Sequence, residues 1–137
     1  MKKFLAMSIL AACSSSVFAD VNYSLSITQP EHHLGNVSVE FPQTAQAHLD
    51  IKLPAWRTGR YEILNLANGV RFFEAKDDDG KALKWEKIDH STWRVHLNEP
   101  TQVNVDYQVY ANELGKRARH IDDSHAFIDA SGFFMFS

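Results

Sequence analysis

From Gln102 to Ala111 the chain alternates, with Val103, Val105, Tyr107 and Val109 on one face and Asn104, Asp106, Gln108 and Tyr110 on the other. Only an extended strand, whose side chains repeat every second residue, gathers those four apolar groups on one side. Such a face has to be covered by a second layer, so the chain must build a sheet that packs on something. Shorter copies of the pattern occur at Tyr23, Leu25 and Ile27, at Val37, Val39 and Phe41, at Ala47, Leu49, Ile51 and Leu53, and at Trp93, Val95 and Leu97. Turn signals separate them: Gln29-Pro30, Pro42, Ile88 to Ser91, Asn98 to Thr101, and Asp77-Asp78-Asp79-Gly80, which predicts a hairpin from Val70–Lys76 into Lys81–Lys87. Helix competes only at Glu62 to Ala67, where alternation fails and Asn68-Gly69 follows as a stop. The expected fold is all-β: an antiparallel β-sandwich of short strands with one short helical turn.

The first nineteen residues read differently. Lys2 and Lys3, the apolar run Phe4 to Ala12, and Val17-Phe18-Ala19 form a secretory signal peptide with cleavage before Asp20, leaving residues 20–137 as one exported, periplasmic domain. The apolar run is too short for a transmembrane segment. A rival processing route exists, because Leu10-Ala11-Ala12-Cys13 resembles a lipobox in which Cys13 is lipidated and anchors the chain. Cys13 is the sole cysteine, so the domain holds no intramolecular disulfide or thiolate zinc site and depends on packing. The net charge of −3, with dispersed Lys and Arg, gives no basic stripe for nucleic acid.

The least generic stretch is Leu53-Pro54-Ala55-Trp56-Arg57-Thr58-Gly59-Arg60-Tyr61. Pro54 ends the preceding strand and Gly59 permits a turn that brings Trp56 near Tyr61. Trp56, Arg57, Arg60 and Tyr61 are the candidate interface or binding loop. The reading preferred here is a rigid cap on the core with Trp56 buried. Glu62 beside Arg57 and Arg60 fits a polar interface and a solvated pair equally well.

These residues carry a family resemblance. Leu53 to Trp56, with Gly59 and Tyr61, resembles the LPAW-x-PG-x-Y segment of the glycyl aminopeptidase family, PDZ-containing, thermolysin-like zinc metallopeptidases. Thr92-Trp93-Arg94-Val95 resembles the family's TWRV strand, and Tyr107 to Leu114 its Y-x-VYAN-x-L. Ile121-Asp122-Asp123 and the aromatic run Phe127 to Phe136 resemble the end of its N-terminal domain. Thr58 stands where the family has proline, which leaves the loop less rigid. The resemblance implies a non-catalytic N-terminal β-domain that packs against a catalytic domain, with zinc held only in that other domain. No HExxH occurs in the chain, and His32-His33 cannot place two imidazoles one helical turn apart. No catalytic residue, metal ligand or cofactor is therefore carried over, and the chain is not expected to be an enzyme by itself. The alternative is a stand-alone periplasmic β-sandwich that binds a peptide, a glycan or a protein partner through the Trp56 to Tyr61 loop.

Two further clusters stand out. His120, Asp122, Asp123 and His125 offer four ligands within six residues, although such side chains also gather on solvated loops, the reading preferred here. Asp77 to Gly80 lacks the spacing and terminal glutamate of a calcium loop. The apolar end of the chain predicts an exposed strand in which Phe133, Phe134 and Phe136 dock a neighbouring domain or mediate self-association. That end reads as a family member cut at its first domain boundary, by a natural stop, a frameshift or deliberate truncation. Processing has a simple test: the exported protein should have the intact mass of a chain beginning at Asp20, and a diacylglyceryl adduct on Cys13 would contradict it.

Overall fold

A computed structural model describes residues 20–56, 63–113 and 119–137. Its strands in chain order are β1 (Asn22–Ser26), β2 (Leu34–Thr44), β3 (His48–Lys52), β4 (Val70–Lys76), β5 (Trp85–Lys87), β6 (Thr92–His96), β7 (Thr101–Tyr110), β8 (His120–Ile121) and β9 (Ala126–Phe127), followed by the single-turn helix α1 (Ala130–Phe133). Two 3-10 turns, Pro30–His32 and Leu66–Gly69, lie between strands. The second is the expected helical turn, displaced so that Asn68 and Gly69 lie inside it.

The alternating strand β7 is central to the larger sheet, whose order is β1-β2-β7-β4 with every pairing antiparallel. Register follows burial: Val39 lies opposite Val105 and Phe41 opposite Val103, and all four are at most 1% exposed. Slipping this pairing by one residue would turn the whole apolar row to solvent. A second antiparallel sheet, β3-β6-β5, contributes Ile51, Trp93 and Val95 to the same buried cluster, which makes the fold a two-layer sandwich. On its polar face Arg94 donates from Nε and Nη2 to the two carboxylate oxygens of its cross-strand neighbour Asp50, at 2.7 and 2.8 Å. The Arg94 guanidinium holds that carboxyl below the usual carboxylate range.

The hairpin expected after β4 is only half formed. Asp77 caps its turn by accepting from the Asp79 and Lys81 amides, and Gly80 takes a φ of 79° that a side chain would oppose. After one bridge, Lys76 to Ala82, the chain leaves for the other sheet, so the expected strand Lys81–Lys87 shrinks to β5. Leu83 still packs against the core and its amide bonds the Ala75 carbonyl at 2.8 Å, and Trp85 then meets Phe73 edge-on at 5.0 Å. In β4 the register shifts between Arg71 and Glu74. Phe72 there adopts a φ of 51° and is 76% exposed, while Phe73 turns inward and stacks on Trp93.

The C-terminal segment overturns its expectation. Asp129 caps α1 through the Ser131 amide and so breaks the run from Phe127 to Phe136 that reads as one strand. Phe133 and Met135 are then fully buried, and Phe133 cannot dock a neighbour. Phe134 is partly buried against Tyr23, leaving Phe136, 47% exposed, as the outermost of the three. The backbone of Phe136 exchanges two hydrogen bonds with Lys52, at 2.7 and 2.9 Å, so the segment covers an edge of β3 instead of presenting an open one.

Two polar side chains fasten this closure. The Tyr107 hydroxyl donates to the Phe133 carbonyl at 2.7 Å and accepts from the Met135 amide at 3.0 Å. Burial pushes its phenol well above the ordinary range, so it stays neutral. Arg119, only 3% exposed, donates to the Gly132 carbonyl at 2.9 Å and to Glu113 at 3.2 Å. Gly69 makes room for it, since a Cβ there would lie 2.4 Å from Arg119 Nη2. Tyr107→Phe leaves the Phe133 carbonyl and Met135 amide buried without this partner. It should destabilise the fold by about 1 to 3 kcal/mol in urea titration, and a loss below about 0.5 kcal/mol would contradict that role.

Candidate functional site

The loop after β3 begins as the sequence suggests. Leu53 is buried, its amide bonded to the Ser91 carbonyl at 3.0 Å, and Ala55 accepts from the Leu64 amide at 2.8 Å. The first bond ties the start of the loop to the residue before β6, and the second joins its two ends. Trp56, expected to be buried as a core cap, is instead 54% exposed. Leu53, three residues earlier, is buried at 1% exposure, so the chain leaves the core between Leu53 and Trp56. Arg57, Arg60, Tyr61 and Glu62 lie outside the described residues, as does Cys13.

A second candidate centre lies at the β8–β9 hairpin. The pairing of His120 with Phe127 and Ile121 with Ala126 leaves residues 122–125 as the turn, closed by the Asp122 amide on the His125 carbonyl at 3.0 Å. Asp122 Oδ1 accepts from the Ser124 amide, the Ser124 hydroxyl and the His125 amide, all within 2.8 Å. Its Oδ2 faces His120 Nε2 at 2.9 Å, and His125 Nδ1 lies 3.2 Å from Oδ1. The Ser124 hydroxyl, then the His120 imidazole, and the turn amides hold this carboxyl far below the usual carboxylate range.

Of the four residues picked out by spacing, His120, Asp122 and His125 converge, with donor atoms within 4.8 Å of one another. Asp123 is exposed and stands outside that group. A third imidazole joins from a distant part of the chain: the ring of His33 lies 5.9 Å from that of His120, and its Nδ1 bonds the Ile121 carbonyl at 2.5 Å. No local pattern announces that contact, because it is made across 88 residues. The group differs from the zinc-peptidase arrangement, which needs two histidines one turn apart on a helix. Here the carrier is a hairpin of two-residue strands.

The other surfaces offer less chemistry. A cleft of about 210 Å³ beside the Asp77 turn contains His96, whose Nε2 is already 2.9 Å from Glu86. Large apolar groups are exposed at Trp56, Ile63, Phe72, Phe127, Ile128 and Phe136. Among the described residues no helix is long and apolar enough to cross a membrane.

Comparison with known proteins supplies the family. No curated protein is significantly similar to the chain. A solved structure, that of an aminopeptidase N family protein from Idiomarina loihiensis, superposes with a TM-score of 0.78 at 26% identity over 85% of this chain. The chain spans 19% of that protein's length. The family model for the peptidase M61 N-terminal domain matches residues 22–137, from the first residue of β1 to the last of the chain. The sandwich of β1 to β7, closed by its C-terminal segment, is thus a member of the peptidase M61 N-terminal domain family.

Proposed function

We infer that this chain is the non-catalytic N-terminal domain of an exported zinc metallopeptidase, and that it works by packing against a catalytic domain that holds the zinc. The observation that carries the reading is the family match over residues 22–137, in a chain equal to 19% of the related aminopeptidase N family protein. The described residues supply a rigid scaffold with exposed apolar groups, among them Trp56, Ile63 and Phe136. Such groups suit an interdomain contact, in which a few large side chains contribute most of the affinity. The leader at residues 1–19 supports export.

The exposure of Trp56 favours a second reading, in which the same loop binds a peptide, glycan or protein partner in a stand-alone domain. Under either reading the domain contributes a surface and not a reaction. The purified chain, dialysed against zinc, should show no hydrolysis of glycyl or alanyl substrates. Mixed with a separately expressed catalytic domain of the family, it should form a one-to-one complex by calorimetry. Trp56→Ala should cost well under the about 3 to 5 kcal/mol of Trp93→Ala, which truncates a buried ring, yet weaken the complex at least tenfold. Zinc-dependent turnover by the chain alone, abolished by chelation, would overturn the assignment. Absence of any complex would favour the stand-alone reading.

A further inference from the structure

The His120 hairpin has a chemistry that the domain's scaffold role does not use. Its three donor side chains differ in kind, two imidazoles and one carboxylate, and lie within 4.8 Å of one another. That is a donor set suited to a first-row divalent cation, for which nitrogen and carboxylate oxygen at about 2.0 to 2.2 Å are ordinary ligands. Neutral imidazoles and one carboxylate carry a net negative charge, so the ion is not opposed by charge.

The positions are fixed before any ion arrives. Asp122 is locked by the turn amides and the Ser124 hydroxyl. His120 is held by the strand pair and has a side chain only 12% exposed, flanked by the rings of His33 at 5.9 Å and His125 at 5.2 Å. His125 is 62% exposed and gives solvent access. Little side-chain freedom remains to be lost on binding at Asp122 and His120, which favours the bound state.

We propose that His120, Asp122 and His125 form a divalent cation site, selective for zinc-like ions over magnesium or calcium, with the remaining coordination position open to water or to a side chain of a partner. The ion takes the place of the hydrogen bond between His120 Nε2 and Asp122 Oδ2, the neutral ring ligating through Nε2 with its single proton carried on Nδ1. A metal-bound imidazole ordinarily donates its second N–H to an acceptor. Here His120 Nδ1 is buried without a hydrogen-bond partner among the described residues. The site lacks that reinforcement, and its affinity should be micromolar instead of nanomolar. Its role is to staple the turn of the β8–β9 hairpin, and it stands independently of the domain's peptidase assignment.

The test uses the full chain, without a histidine tag and stripped by chelation, titrated with Zn²⁺ alone and with Co²⁺. One equivalent should bind, Co²⁺ should develop ligand-field bands, and the imidazole nitrogen resonances of His120 and His125 should shift while those of His48 and His90 stay in place. His125→Ala, at an exposed position, and Asp122→Asn, which keeps an acceptor oxygen for the turn, should each weaken binding more than about tenfold. The control His90→Ala should leave it unchanged. Absence of saturable binding up to millimolar Zn²⁺ overturns the proposal. So does binding that survives both substitutions, or that shifts only His48 or His90. The resonance measurement needs no variant and decides the matter even where a substitution unfolds the hairpin.

Discussion

The hydroxyl of Tyr107 ties the end of the chain to its central strand. It lies in the interior and bonds both the Phe133 carbonyl and the Met135 amide. A buried backbone group without a partner costs about as much as several ordinary contacts gain, so these two bonds decide where the C-terminal segment can rest. With that segment seated, Phe133 and Met135 complete the core and Phe136 pairs with Lys52 on β3. Arg119 holds the same segment from the other side through Gly132, which is why its neighbour at position 69 is a glycine. One strand thereby orders both the four-stranded sheet and the segment that closes the sandwich.

Much of this was legible in the alternation, for a physical reason. A strand with one buried face must repeat every second residue, and β2, β3, β6 and β7 do so. Where burial is decided by tertiary contacts the reading failed. The run from Phe127 to Phe136 looks like an exposed strand, and only the Asp129 cap, the Tyr107 hydroxyl and the pairing with Lys52 turn it inward. The aspartate two residues before Ser131-Gly132 was a local cue for that break. Trp56 failed in the opposite sense: a large apolar body favours burial, but the chain has already left the core after Leu53, and the indole is 54% exposed. The His120, Asp122 and His125 group was visible from spacing, whereas His33 reaches it only through the fold.

These placements give the domain two separate resources. One is a set of exposed large apolar groups, among them Trp56, Ile63 and Phe136. The other is the hairpin group at His120, locked by hydrogen bonds that the turn itself supplies. The hairpin group is continuous with the seated C-terminal segment, because β8 follows Arg119 and β9 leads into α1. A domain that closes on its own end in this way can present a fixed surface to a partner without being remodelled by it.

Amide hydrogen exchange at Met135 tests that closure most directly. Among the described residues its N–H donates to the Tyr107 hydroxyl alone. The account predicts protection comparable to the amides of Val103 and Val105 on β7, with exchange only through global unfolding. Exchange of Met135 at the rate of an exposed loop amide, while β7 remains protected, would show that the segment opens independently and would contradict the account.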